Sequence, residues 1–229
     1  MHLQPLLLKR RKLLQKPISN LKEIVNPRWK YESDCFAQNY KIIVGVDEVG
    51  MGCLAGPVVA AAVILDPNDI PEGIDDSKKL SAKKRELISI EIKKRALAFN
   101  IAHATTQEID TINIYHAAKL AMKRAIEGLS LKPDFILMDG RGTLNISTPC
   151  LAIVKGDGLS FSIGAASIIA KVTRDRLMEE YDQKIPGYGF SKHKGYGSVF
   201  HRLCLMEKGS SEIHRKSFSW TPVVSSNLE

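Results

Sequence analysis

Two mostly apolar runs, separated by a short stretch that contains glycine, constrain the fold of this chain most. The runs are Lys41–Glu48 and Val58–Leu65, and Gly50, Gly52 and Gly56 lie between them. Strands that are buried on both faces have such unbroken apolar sequences. A connection of only a few residues suits an antiparallel hairpin. The sequence therefore predicts a hairpin in the interior of a sheet.

The rest of the chain alternates predicted helices with short apolar runs. We expect helices at Ala82–Ala96, Ile114–Glu127, Gly164–Val172 and Val199–Lys208, and strands at Ala98–Ala104, Phe135–Met138 and Leu151–Lys155. Ser81 has the position of a helix N-cap, and Thr105 with Glu108 has the spacing of a capping box. This order predicts an α/β fold with a mixed central β-sheet flanked by helices, plus a small helical C-terminal region.

Composition narrows the class of protein. Of the 229 residues, 44% are hydrophobic and 25% are charged, which is typical of a globular chain. No apolar stretch reaches the roughly 18 residues that cross a bilayer. The N-terminal apolar run Leu6–Leu8 precedes the basic run Lys9–Lys12, which is the reverse of a secretory signal. None of the four cysteines has the spacing of a zinc site. We expect a cytoplasmic monomer with no membrane partner.

Positive charge is concentrated near the N-terminus. The chain has a net charge of +8, and residues 1–40 hold eight basic and three acidic residues, a surplus of five. Pro5, Pro17 and Pro27 interrupt any helix there. We interpret residues 1–40 as a basic N-terminal extension. A basic surplus favours polyanionic partners.

Acidic side chains follow three of the predicted strands. Asp47 and Glu48 end the first strand, Asp139 follows Met138, and Asp157 follows Lys155 and one glycine. Turn formation is one interpretation, because Asp beside Gly is common in turns. If the strands are neighbours, however, the carboxylates meet at one edge and repel each other, and a cation relieves that repulsion. Oxygen ligands suit Mg²⁺ or Mn²⁺. Two such ions about 4 Å apart can support phosphodiester hydrolysis. Three repeats of the pattern favour the metal site.

Two further segments contain the groups that contact nucleic acid. The glycine loop has the spacing GxGxxxG and leads into a strand, so it is not a dinucleotide fingerprint, but it lets a ligand approach the backbone. "YGFSKHKGYGS", residues 188–198, places basic side chains among tyrosines, as phosphate contact and base or sugar stacking require. A plain loop is the alternative there, and a solvated helix face is the alternative for the basic "DDSKKLSAKKR".

Taken together, these motifs resemble a known family. "GVDEVGMGCLAGPVVAAAVIL", "DDSKKLS", "ILMDG", "VKGDGLSFSIGAASIIAKVTRDR" and "YGFSKHKGYGS" are similar to bacterial ribonuclease HII, and "SEIHRKSF" resembles its closing motif. The likeness runs from about Lys41 to Phe218. It implies an RNase H-like catalytic domain at residues 41–218, which includes a C-terminal substrate-binding segment, and leaves residues 219–229 as a tail.

The resemblance also implies an activity and assigns roles to nine residues. Such enzymes hydrolyse the RNA strand of RNA–DNA hybrids. They also cut on the 5′ side of single ribonucleotides in duplex DNA and leave 3′-hydroxyl and 5′-phosphate ends. The implied metal-binding catalytic acids are Asp47, Glu48, Asp139 and Asp157, with two Mg²⁺ or Mn²⁺ ions. The implied substrate-binding residues are Gly50, Met51 and Gly52, which read the 2′-hydroxyl, Tyr196, which stacks on a sugar, and Lys78, which lies near phosphates.

One position departs from the family's pattern. Met51 stands where the family usually has Arg. If the loop acts through main-chain groups, Met51 should be tolerated, whereas loss of a phosphate-binding charge should lower affinity for the junction and its salt dependence. Two alternatives stay open: the sister ribonuclease HIII, whose loop also lacks that arginine, and a nucleic-acid-binding module without catalysis. The four acids argue against the second, because a binding module has no use for repelling carboxylates beside a polyanion.

Overall fold

A mixed five-stranded sheet forms the centre of residues 26–220, the part of the chain that this computed structural model describes. The strands are β1 Ile43–Val49, β2 Val58–Ile64, β3 Ala98–Ala104, β4 Phe135–Asp139 and β5 Cys150–Ile153. Their order is β3-β2-β1-β4-β5. The pairs β1–β2 and β2–β3 are antiparallel, whereas β1–β4 and β4–β5 are parallel. The predicted hairpin and the mixed sheet are therefore confirmed.

The described residues also form six α-helices. They are α1 Lys30–Ala37, α2 Ala82–Arg95, α3 Thr106–Glu127, α4 Phe161–Lys184, α5 Phe190–His193 and α6 Val199–Lys208. Two 3₁₀ turns, Pro27–Trp29 and Gly156–Gly158, precede α1 and α4. No described helix is long and apolar enough to cross a membrane.

Helices cover both faces of the sheet. On one face, side chains of β1 such as Val44 and Val46 pack with the small side chains of α3, among them Ala121. On the other face, Ala61 and Val63 of β2 pack with α4 and α2. Because both faces are covered, β1 and β2 are apolar along most of their length.

The helix starts follow the capping signals. The Ser81 side chain accepts a hydrogen bond from the Lys84 N–H, and Thr105 and Glu108 form the predicted capping box. That box starts α3 at Thr106, eight residues before the predicted start at Ile114. The two halves of α3 meet at Asn113, whose φ of 65° lies in the left-handed region that Asn tolerates. Hydrophobic periodicity identified only the second half, because Asn113 shifts the helical phase.

The segment before β1 packs on the domain, which differs from the expected extension at residues 1–40. Trp29 and Cys35 are buried, and so is Glu32, with 1% of its surface exposed. The Glu32 Oε1 accepts hydrogen bonds from the Ser160 hydroxyl (2.6 Å) and the Ser162 N–H (2.9 Å) at the start of α4. A single short helix with two buried residues gives little periodicity to detect in a sequence. Residues 1–25 and 221–229, which hold most of the predicted extension and tail, lie outside the described residues.

Glu32 should make the stability of the protein depend on pH. Burial raises the pKa of Glu32 above its usual value of 4.5. The folded protein therefore holds this proton to higher pH than the unfolded chain, so stability falls as pH rises from 4.5 through the raised value. Glu32→Gln keeps an acceptor oxygen and removes the ionisation. We expect the free energy of unfolding of the variant, relative to the parent, to increase over that pH range.

Urea unfolding at several pH values measures this difference. Asp34→Asn removes an exposed carboxylate from the same helix and serves as the control. An equal pH dependence in the parent and in Glu32→Gln would contradict the prediction.

Candidate active site at the carboxyl edge of the sheet

The four predicted metal-binding acids lie at one edge of the sheet. Asp47 and Glu48 are near the end of β1, and Asp139 is the last residue of β4. The parallel pairing of β1 with β4 runs through Val46 and Met138, the residues just before Asp47 and Asp139. Asp157 lies in the 3₁₀ turn after β5, which pairs with β4 on its other side. Strand order thus brings together residues that are about 110 positions apart in the chain.

Strand alternation divides the acids between the two faces. The Asp47 side chain lies beside Ser167 of α4, on the face where Gly45 also lies against that helix. Successive side chains of a strand point to opposite faces, so Glu48 turns toward α3, where the charge of Lys119 acts on it to lower its pKa. The sequence predicted one edge for the four acids, but it did not predict this division.

Burial and mutual repulsion disfavour the charged forms of these acids. Burial, followed by the charges of Glu48 and Asp139, raises the pKa of Asp47 well above its usual range. Burial and the charge of Asp139 raise the pKa of Glu48 to about 7. The pKa of Asp139 is also raised, first by burial and then by the charge of Asp157. A bound cation would stabilise these carboxylates, which is the behaviour of a metal-binding donor set.

Backbone amides already hold three of the carboxylates. Asp47 Oδ1 accepts from the Glu48 N–H at 2.8 Å, Asp139 Oδ1 from the Gly156 N–H at 2.6 Å, and Asp157 Oδ1 from the Gly158 N–H at 3.0 Å. Within residues 26–220, no three acidic, histidine or cysteine side chains are close enough as they stand to hold an ion. The donor atoms suit Mg²⁺ or Mn²⁺, since they are all oxygens. To bind an ion, the carboxylate side chains would have to rotate toward one another.

A lysine-lined groove opens beside Asp157. Its volume is about 510 Å³, and its lining includes Lys78, Lys79, Lys155 and Asp157. The Lys78 Nζ lies 3.7 Å from Asp157 Oδ2, and 83% of its side chain is exposed. Positive side chains around a carboxylate suit a phosphate that approaches together with a metal ion.

The glycine loop and the predicted tyrosine adjoin each other. Gly50, Met51 and Gly52 form the turn after β1, and Cys53 forms a β-bridge with Tyr196. Tyr196 is 43% exposed, so a ligand can reach this residue. Met51 is partly buried and packs against the core under α3. An apolar residue at position 51 therefore has a packing role in this chain.

Three basic residues at the site lacked a role in the sequence analysis. Lys119 lies on α3, where its Nζ donates to the Arg141 carbonyl at 2.8 Å and faces Glu48. The Arg28 guanidinium donates to the Asp157 carbonyl at 2.7 Å and to the carbonyl of Ile74. It therefore connects the turn that contains Asp157 to the loop that leads to Lys78. Arg215 contacts the glycine loop. No local sequence signal marks these three, because each acts on a distant segment.

Comparison with known protein families gives a match over most of the chain. The family model described as Ribonuclease HII matches residues 44–221. A protein named Ribonuclease HII from Cereibacter sphaeroides is 51% identical over 197 residues, which cover 86% of this chain and 92% of that protein. Ribonuclease HII from Myxococcus xanthus is 52% identical over 191 residues, 83% of this chain, and the chain spans 65% of the length of that protein.

The fold is also that of solved relatives. RNase HII of Archaeoglobus fulgidus, solved in a complex with PCNA, superimposes with a TM-score of 0.68 at 27% identity, covering 80% of this chain and 98% of that one. The predicted RNase H-like fold is therefore confirmed. Because the matching family model is that of type HII and relatives of that name share half of the aligned residues, this chain belongs to the ribonuclease HII family of nucleases.

Proposed function

We propose that this chain is an endoribonuclease that hydrolyses the RNA strand of RNA–DNA hybrids and cuts on the 5′ side of single ribonucleotides in duplex DNA. The products are 3′-hydroxyl and 5′-phosphate ends. The observation that carries this proposal is the set of mutually repelling carboxylates at the ends of β1 and β4 and after β5, in a chain of the ribonuclease HII family.

The proposed chemistry places the acids around two divalent cations, Mg²⁺ or Mn²⁺. Asp47, Glu48, Asp139 and Asp157 would hold them, and raised pKa values of the first three support this assignment. When bound, such ions would make a bound water more acidic and would stabilise the negative charge that develops on the leaving oxygen. Lys78, beside Asp157, would contact the phosphate of the substrate.

Recognition of the ribonucleotide is assigned to the loop and the tyrosine. Main-chain groups of Gly50, Met51 and Gly52 would contact the 2′-hydroxyl, which is the group that distinguishes RNA from DNA. The ring of the exposed Tyr196 would pack on the next deoxyribose and exclude a 2′-hydroxyl there. Together they would select an RNA-to-DNA junction. The cytoplasmic location and the monomeric state expected from the sequence stay predictions.

Mapping the ends of the products tests this function. One labelled duplex contains a single ribonucleotide in DNA, and the other is a continuous RNA–DNA hybrid; each is incubated with Mg²⁺ or Mn²⁺, and with excess chelator as the control. We expect a cut just 5′ of the single ribonucleotide, cuts in the hybrid, and none in the presence of chelator. Cleavage of the hybrid alone would instead support a type HIII-like specificity, and retained binding without any cleavage would support the binding module.

A further inference from the structure

Arg215 is a buried cation whose hydrogen-bond partners are main-chain carbonyls. Its side chain lies on the segment after α6, and only 3% of its surface is exposed. Nη2 donates to the Gly50 carbonyl at 2.6 Å, Nη1 to the Met51 carbonyl at 2.8 Å and Nε to the Gly56 carbonyl at 3.0 Å. Burial lowers the pKa of Arg215 to about 10, so the guanidinium stays positive at neutral pH. Its planar fork therefore contacts both ends of the glycine loop at once.

These contacts determine the direction of two amide groups of the loop. In a trans peptide the C=O and the following N–H point in opposite directions. A Gly50 carbonyl held inward by Arg215 therefore points the Met51 N–H outward, and a Met51 carbonyl held inward does the same for the Gly52 N–H. Within residues 26–220, neither of these two N–H groups has an acceptor. They are two adjacent donors, available to a ligand.

A second buried arginine holds the other part of the loop. Arg174 donates to the carbonyls of Ala55 and Pro57 at 3.0 Å each. It also lies against Gly50, where an added Cβ would be 2.2 Å from the Arg174 Nε and where φ is +98°. Arg174 thus leaves no room for a side chain at Gly50, but it makes no hydrogen bond to the carbonyls of Gly50 or Met51. Among the described residues, Arg215 has the only side chain that donates to these two carbonyls.

The chain around Arg215 is itself held in place. The Arg215 N–H donates to the Leu54 carbonyl at 2.9 Å, and the Phe218 ring lies 5.0 Å from the guanidinium carbon. The preceding residue, His214, has its Nε2 3.0 Å from Nε2 of His201 on α6. The following N–H groups, of Lys216 and Ser217, donate to the Asp110 carboxylate. The guanidinium is therefore positioned by contacts with several distant parts of the domain.

We propose that Arg215 is a positioning residue which aims the N–H groups of Met51 and Gly52 at the 2′-hydroxyl of the substrate, and so sets the preference of this chain for a ribonucleotide. The inference rests on the proposed function and names the residue that controls its specificity. The loop can then read the sugar through its main chain, whichever side chain is present at position 51.

Binding discrimination tests this inference separately from catalysis. In an Asp139→Asn background, affinities are measured for a duplex with one ribonucleotide and for the same duplex made only of DNA. Arg215→Lys keeps the charge but cannot hold both carbonyls. Because at least one of the two N–H groups would lose its fixed direction, we expect the ratio of the two affinities to fall by about tenfold, which corresponds to about 1.4 kcal/mol. Affinity for the all-DNA duplex should stay the same.

Two further variants make the result specific. Lys216→Gln removes an exposed charge from the same segment, and it should weaken binding of both duplexes in parallel with no change in their ratio. Phe218→Leu removes the ring beside the guanidinium, and it should lower the affinity ratio by a smaller factor than Arg215→Lys does. This variant also tests the inference if Arg215→Lys does not fold. An unchanged ratio in folded Arg215→Lys, or no preference in the background protein, would overturn the inference. Failure of the proposed function would appear instead as absent cleavage by the parent chain.

Discussion

Replacing Asp139 with Asn should remove nearly all cleavage activity and leave duplex binding largely intact. Asp139 is the carboxylate between β1 and the Asp157 turn, and its charge raises the pKa of both Asp47 and Glu48. An amide cannot neutralise a cation, so we expect kcat to fall about 1000-fold, which corresponds to about 4 kcal/mol of transition-state stabilisation. Single-turnover cleavage of the duplex with one ribonucleotide measures this loss.

The same variant should be at least as stable as the parent protein. The amide side chain of Asp139→Asn would keep an oxygen for the Gly156 N–H, now 2.6 Å from Asp139 Oδ1, while the repulsion among the acids decreases. We therefore expect Asp139→Asn to have a higher thermal midpoint than the parent and to lose activity. This combination is expected when a residue needed for function lowers the stability of the folded protein. Glu127→Gln, which removes an exposed carboxylate at the end of α3, is the control and should cleave normally. Unchanged turnover in Asp139→Asn would contradict the metal-site assignment.

Replacing Gly45 with Ala should cause the largest loss of stability. A Cβ at Gly45 would lie 2.0 Å from the carbonyl carbon of Ser162 and 2.4 Å from the Ile163 nitrogen. These are backbone atoms of α4, so β1 and the helix would have to separate. Overpacking of a core typically costs up to about 3 kcal/mol, and more where the neighbour cannot move. We therefore expect a loss of at least about 3 kcal/mol.

Denaturant unfolding of Gly45→Ala and Gly158→Ala measures the effect. An added Cβ at Gly158 meets no atom within 4 Å, so this control should be close to the parent in stability. Activity should fall with the fraction folded in Gly45→Ala, because the contact of β1 with α4 also positions Asp47 beside Ser167. Equal stabilities would show that β1 and α4 are not packed as described.

Local patterns in the sequence were sufficient for most elements. The unbroken apolar runs predicted β1 and β2, since strands covered on both faces need no polar side. Capping residues identified the start of α2 and the capping box before α3, since Ser81 and Thr105 accept hydrogen bonds from N–H groups in the first turns of their own helices. Periodicity, however, placed the start of α3 eight residues too late. The acids were found because their position after apolar runs is a property of each strand by itself.

Only the tertiary structure decided how these parts meet. Strand order placed β4 between β1 and β5, and strand alternation turned Glu48 away from Asp47. The packing of Trp29 and Glu32, and the contact of Arg215 with the glycine loop, join segments that are more than 100 residues apart. The sequence by itself determined local elements and the chemistry of the donors, because caps, periodicity and residue type act within a few positions. Long-range contacts depend on which surfaces of the folded chain fit together. Only the tertiary structure therefore showed which groups bind the buried side chains of Glu32 and Arg215.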